Sequence, residues 1–154
     1  MSYTITLTTD SGDLPVADST PKGPVVDAHV SKYMWLFIGV VHDGSGPHPS
    51  QVDLRITPNI WSQAECIEGS PSSSACNAGG SISHGGTNVG SYSVSGHTSQ
   101  GGNITDPFVI TVPLDNGVGS ASIHAGAWAA VTYSPVSDQG ADAAYYMNFT
   151  VVEA

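Results

Sequence analysis

Short loops of this chain carry histidines and aspartates of the kind that bind metal ions. Six histidines stand against only three lysines and arginines. His42, Asp43 and His48 lie within one turn-rich segment, close enough for two imidazoles and a carboxylate to converge on zinc or copper. Their spacing matches neither a strand face nor a helix face. Hydrogen-bonded or solvated loop histidines are therefore the favoured interpretation.

Calcium is the better metal candidate, because oxygen ligands are abundant in this sequence. Asp138 and Asp142 flank Gln-Gly-Ala in a turn that we expect between the last two strands. The glycine would let backbone carbonyls turn toward an ion. Turn formation explains the same residues without any ion, since Asp and Gly are common turn residues. The sequence therefore establishes no cofactor, and Ca²⁺ is the candidate metal ion.

Carbohydrate recognition needs an exposed aromatic ring that packs on the apolar face of a sugar, with polar neighbours for its hydroxyls. Trp61 and Tyr92 are our candidates for this role. Trp35 lies inside the longest apolar run, Tyr33 to Val41, and is expected in the core. Trp128 lies between small residues, and a core position is favoured for it.

The segment His48-Pro-Ser-Gln51 resembles the H-P-x-Q loop of bacterial galactose-binding lectins. In that family the histidine and the glutamine hold a sugar hydroxyl, so the resemblance implies ligand-binding roles for His48 and Gln51. This chain has Pro135 and Ala143 where the family carries calcium-binding Asp and Asn residues. The resemblance therefore does not extend to the family's calcium site.

The charge balance excludes several classes of partner. Three basic residues against thirteen acidic ones give a formal net charge of −10. Neutralising phosphates requires a basic surface, so nucleic-acid binding and charge-driven membrane binding are excluded. No apolar stretch is long enough for a membrane helix. Polarity comes instead from Gly, Ser and Thr, together 51 of the 154 residues.

Strand patterns recur from end to end of the chain and predict an all-β fold. Tyr3 to Thr8 alternates apolar and polar residues, and so does Val52 to Ile56. In Ala144 to Val152, Tyr145, Met147, Phe149 and Val151 fall on one face. The pattern predicts one antiparallel β-sandwich domain over residues 1–154, of jelly-roll or Greek-key type. The first residues are typical of a strand and not of a signal peptide, although the composition favours an extracellular location.

Two segments carry other signals. Thr57 and Pro58 form a helix-start pattern, and Ile60, Ala64 and Ile67 would share a helical face, which predicts a short helix near 58–68. Residues 69–102 are crowded with Ser and Gly and predict a long loop region, with only Val89 to Ser95 typical of a strand.

Cys66 and Cys76 are the two cysteines of the chain, with nine residues between them. A disulfide between them would stabilise this segment by roughly 3 kcal/mol on the chain-entropy model. Two free thiols are the alternative. No CxxC pair is present, so zinc binding by cysteine is not indicated.

Two functions are consistent with the sequence. The first is a non-enzymatic binding module for neutral glycans, with its site in loops at one end of the sandwich. The second is a self-assembling structural subunit, because few charges need to be desolvated between identical copies and strand edges carry few lysines. A homo-oligomer is expected in the second case. A nucleophile elbow, a P-loop and a metalloprotease motif are all absent from the sequence, which argues against an enzyme.

Overall fold

The computed structural model describes residues 3–10, 18–19, 27–67, 75–96, 100–132 and 140–154, with side chains over most of these ranges. These residues form ten strands and no helix. The strands are β1 Tyr3–Thr9, β2 Asp18–Ser19, β3 Asp27–His42, β4 Gln51–Ile67, β5 Ala75–His84, β6 Thr87–Gly96, β7 Gln100–Ile104, β8 Phe108–Pro113, β9 Val118–Thr132 and β10 Gly140–Glu153. The described residues include no helix long and apolar enough to cross a membrane.

The strands form two antiparallel sheets packed face to face. The first sheet has the order β1-β3-β9-β5-β6. The second has the order β2-β10-β4-β7, with β8 pairing with β4 beyond the end of β7. Neighbours in each sheet are mostly distant in sequence, so the chain crosses repeatedly between the sheets. The predicted β-sandwich is confirmed, while a jelly-roll topology is not.

The core lies between the two sheets and follows from period-two alternation. On β3, the even-numbered residues from Met34 to Val40 point inward and are at most 1% exposed. On β10, Tyr145, Met147 and Phe149 are buried while Asn148 and Thr150 are exposed, as the alternation predicts. β9 contributes mainly small side chains to the same core. β9 runs without a break from Val118 to Thr132.

The predicted helix near 58–68 is wrong, because β4 continues as a strand through Ile67. β8 pairs with β4 over residues 51–56 and β7 pairs over residues 60–64. Pro58 lies between the stretches of β4 that pair with β8 and with β7. On that side of β4 no strand needs a hydrogen bond from Pro58, which has no N–H to donate. The helix-start pattern was therefore overridden by tertiary pairing, and Pro58, Ile60, Ser62 and Ala64 all face the core.

The predicted long loop over 69–102 is also wrong in large part, because β5, β6 and the start of β7 occupy it. Serines such as Ser81, Ser91 and Ser93 lie on the exposed face of these strands. Gly79 and Gly80 lie beneath the rings of Trp128 and Tyr92. In this segment the serines therefore occupy the outward face of strands, and the glycines allow aromatic rings to pack closely. They do not form an irregular loop.

Candidate functional site

Tyr33, Trp35 and Phe37 form a line of exposed aromatic side chains on the outer face of the first sheet, which we name the aromatic stripe. Their side chains are 54%, 44% and 43% exposed. They alternate along β3 with the buried Met34, Leu36 and Ile38. The expectation that Trp35 lies in the core is therefore wrong. Because successive outward residues of a strand are about 6.6 Å apart, the three rings form a straight row.

Neighbouring residues hold the rings of the stripe against the sheet. Gly126 lies opposite Tyr33 on β9, and a β-carbon at this position would overlap the tyrosine ring. His124 lies opposite Trp35, with ring centroids 4.7 Å apart and an interplanar angle of 39°. The same imidazole stacks near Tyr33 at 6.2 Å and 18°. His124 is thus a strand residue of β9 whose ring contacts two aromatic side chains of the stripe.

Hydroxyl-bearing residues border the Phe37 end of the stripe on both sides. On β1, Thr6 and Thr8 are paired with Gly39 and Phe37. On β9, Ser120 and Ser122 are paired with the same two residues. Between these two rows, above Gly39, lies a depression of about 440 Å³. None of the side chains that the structure describes on the outer faces of β1, β3 and β9 belongs to Asp, Glu, Lys or Arg, but the exposed Asp10 directly follows β1 and its N–H donates to the Trp35 carbonyl at 3.4 Å.

The sequence-predicted ligand residues do not meet in one place. His48 is exposed in the segment after β3, and its Nδ1 lies 3.1 Å from Nδ1 of His42. Gln51 is the exposed first residue of β4. Trp61 lies ten residues further along β4, roughly 33 Å away at strand rise, where it stacks on Tyr146 with centroids 5.3 Å apart. His48 and Gln51 are neighbours, whereas Trp61 belongs to another region.

Tyr92 faces inward from β6 and is half-buried. Its hydroxyl forms a short hydrogen bond with Oγ of Ser62, and Ser62 donates to the Gly79 carbonyl at 2.9 Å. Its ring lies over Gly80 and Gly102, one in each sheet. Burial raises the pKa of the Tyr92 phenol above its ordinary value, against the lowering effect of the Ser62 hydrogen bonds. Because its ring packs on two glycines and its hydroxyl is hydrogen-bonded to Ser62, Tyr92 is not placed to stack on a sugar.

Metal binding finds no geometric support among the described residues. No group of three or more His, Cys, Asp or Glu side chains converges there. His42 and His48 do come together, but Asp43 accepts a hydrogen bond from Thr4 on β1, with both carboxylate oxygens 3.0 Å from the hydroxyl. Asp138 lies outside the described residues, and only the backbone of Asp142 is described, in β10. The candidate calcium site stays a prediction.

The cysteine pair is only partly described. Cys76 is fully buried at the start of β5 and is not a free thiol. The backbone of Cys66 lies near the end of β4, while its side chain is outside the described residues. A bond between Cys66 and Cys76 stays a prediction.

The stripe was missed at the sequence level, although the signal is present in the apolar run itself. The aromatic residues Tyr33, Trp35 and Phe37 occupy odd positions, and the aliphatic residues from Met34 to Val40 occupy even ones. The expectation that the whole segment from Tyr33 to Val41 is buried does not separate its aromatic positions from its aliphatic ones. Trp128, which we favoured as core, lies half-buried on the same outer face, over Gly79.

Comparison with known proteins identifies no family. No family model matches the chain, and no curated protein matches it. Chains in two solved structures of infectious bursal disease virus are similar at 9% sequence identity. For the Gt strain the match covers 99% of this chain and 41% of that chain, with a TM-score of 0.23. For the Gx strain it covers 100% and 42%, with a TM-score of 0.21. The chain thus spans about two fifths of those chains, and the likeness supports no statement about function.

Proposed function

We propose that this protein is a non-enzymatic module that binds neutral polysaccharide chains along the aromatic stripe. The observation that carries the proposal is the row of three exposed rings on β3, with threonine and serine hydroxyls on both flanking strands beside Phe37 and Gly39. Large exposed aromatic side chains in a row are unusual for a surface without a ligand. The site thus differs from the loop site expected from the sequence.

The chemistry of the stripe matches a glycan chain in three respects. Ring faces pack against the apolar C–H faces of sugars. Threonine and serine hydroxyls on each side can exchange hydrogen bonds with the sugar hydroxyls at the rim. The described side chains on the outer faces of β1, β3 and β9 include no Lys or Arg, and Asp10 lies beside Trp35, which favours a neutral chain over an acidic one.

Association of two copies through the stripe is the alternative. Protein interfaces of standard size bury about 800 Å² per partner around an apolar centre. The stripe is one strand wide, and polar residues lie beside two of its three rings. Phe37 has Thr8 and Ser122 beside it, and Trp35 has His124 and Asp10. A narrow apolar line with polar borders fits a linear ligand better than the core of a protein interface.

Affinity electrophoresis through gels containing neutral polysaccharides, including glucans, xylans and galactomannans, tests the proposal. We expect at least one polysaccharide to retard the wild-type protein. The Trp35→Thr variant should bind at least about tenfold more weakly, which corresponds to about 1.4 kcal/mol. The matched control is Trp61→Thr, which removes the same ring from the outer face of the second sheet and should leave binding unchanged.

A second variant tests the depression beside Phe37. A β-carbon at Gly39 would meet only Thr6, at 3.8 Å, so Gly39→Val should fold while filling this space. We expect weaker retardation. Binding should persist in EDTA, because stacking of sugars on aromatic rings needs no metal ion and no group of three or more metal-ligating side chains converges among the described residues. Lack of retardation by every polysaccharide would overturn the proposal, and loss of binding in Trp61→Thr alone would move the site to the second sheet.

A further inference from the structure

The free edge of β6 is the longest uncharged strand edge that the structure describes. β6 is the last strand of the first sheet, and it pairs only with β5 within the described residues. Its ten residues, TNVGSYSVSG, contain no charged residue and no proline. Such an edge offers backbone N–H and C=O groups to another strand. One of the N–H groups of β6, that of Gly90, donates to Oδ1 of Asn88 at 3.0 Å and would have to exchange this acceptor.

The other edges are shorter or carry an acid. β1 has seven residues, and the Asp43 carboxylate accepts a hydrogen bond from Thr4 at its start. β7 has five residues, and β2 has two. β8 has six residues, and Thr111 within it donates to the carboxylate of Asp53 at 2.6 Å.

The inner face of β6 is incompletely covered. Tyr92 and Val94 point toward the core but are only partly buried, unlike the inward residues of β3 and β4. At one end of the edge, β6 and β7 enclose a cleft of about 310 Å³ between residues 89–91 and 103–106. One more strand beside β6 would cover these side chains and close the cleft.

We propose that β6 pairs antiparallel with β6 of a second copy of this chain, about a two-fold axis at Tyr92. This register places Ser91 opposite the second copy's Ser93 on the outer face. On the inner face it places Val94 opposite Gly90, which has no side chain and borders the cleft. Directly opposed residues of antiparallel strands share a face, and this register satisfies that rule for every pair from Gly90 to Val94.

A second copy fits this edge for reasons of charge and symmetry. The chain carries a net charge of −10, so copies repel each other except where their contact surfaces are neutral. Asp106 is the one acid at the cleft. The two clefts lie four residues apart along the paired strands, roughly 13 Å at strand rise. That separation exceeds the screening length of about 8 Å at physiological salt.

Sedimentation velocity at rising protein concentration tests the pairing. We expect wild-type protein to shift from monomer to dimer at micromolar concentrations. Val94→Lys, which places a charge on the edge, should weaken dimerisation at least about tenfold. Val109→Lys is the matched control, because Val109 is 51% exposed on β8, away from this edge, and should leave dimerisation unchanged. Circular dichroism and thermal melting check that both variants fold.

Cysteine cross-linking tests the register independently of any folding defect. Mild oxidation of a mixture of Ser91→Cys and Ser93→Cys proteins should yield a covalent dimer that neither variant forms alone. A cross-link in Ser93→Cys alone would overturn the register. A wild-type protein that stays monomeric, or a dimer unaffected by Val94→Lys, would overturn the pairing itself. Glycan binding does not enter these measurements, so their outcome is separate from that of the proposed function.

Discussion

Replacing Tyr92 with phenylalanine removes one hydroxyl from a hydrogen-bonded chain that joins the two sheets. Ser62 on β4 is fully buried, donates to the Gly79 carbonyl on β5 and shares a hydrogen bond with the Tyr92 hydroxyl on β6. Loss of that hydroxyl leaves the buried Ser62 oxygen with one partner fewer. A net hydrogen bond contributes about 1 kcal/mol to stability. For a chain of this length we expect Tm to fall by about 2–4 °C.

The same variant should change how stability depends on pH. The pKa of Tyr92 in the folded protein lies above 10.0, mainly because burial disfavours the phenolate. As the pH rises past about 10, the unfolded chain releases this proton while the folded chain still holds it. The contribution of Tyr92 is therefore fully present below that pH and is lost as the pH rises through the folded value. Tyr92→Phe lacks this loss, so its stability deficit should shrink in alkaline solution.

Urea unfolding of wild-type and Tyr92→Phe proteins from neutral to alkaline pH measures both effects. Tyr33→Phe is the control, since its side chain is 54% exposed and should match the wild type throughout. Equal stability of Tyr92→Phe and wild type at neutral pH would refute the structural role of the hydroxyl. A constant difference across the alkaline range would refute the burial-shifted pKa.

Two further predictions concern the core and the cysteines. Leu36→Ala should lower the free energy of unfolding by about 2–5 kcal/mol in urea titrations, because Leu36 is fully buried next to the exposed Trp35; a cost below that range would contradict the assigned faces of β3. Reduction with dithiothreitol should lower stability by about 3 kcal/mol if Cys66 and Cys76 are joined. Peptide mapping without reductant checks the bond directly, and recovery of two separate thiol peptides would exclude it.

Alternation along single strands made much of the fold predictable. The inward residues of β10 and the strand character of β1 and the start of β4 followed from period-two patterns. The pattern failed around Pro58, where Thr57 and Pro58 resemble a helix start. Whether a strand tolerates a proline depends on which neighbour it has at that position, and the gap between β7 and β8 exists only in the folded sheet.

The candidate site was less predictable than the fold. The ligand-binding roles of His48 and Gln51 were proposed from a local resemblance and stay predictions. The two residues are three positions apart in the chain, and β4 begins at Gln51. Trp61 could not be placed relative to them without strand lengths. Tyr92 was classed with exposed rings, because nothing in its own segment reveals a buried serine thirty residues earlier in the chain.

The sequence by itself determined an all-β chain with an apolar inner face, a surface dominated by hydroxyls and too few cations for nucleic acid. Those properties depend on composition and on the two-residue period of a strand, which are local. The tertiary structure decided which aromatic rings meet solvent, which glycines lie beneath rings and which edge is free. These depend on the order of strands in each sheet, set by contacts between residues far apart in the chain. The stripe on β3 therefore became visible only once β1 and β9 were placed beside it.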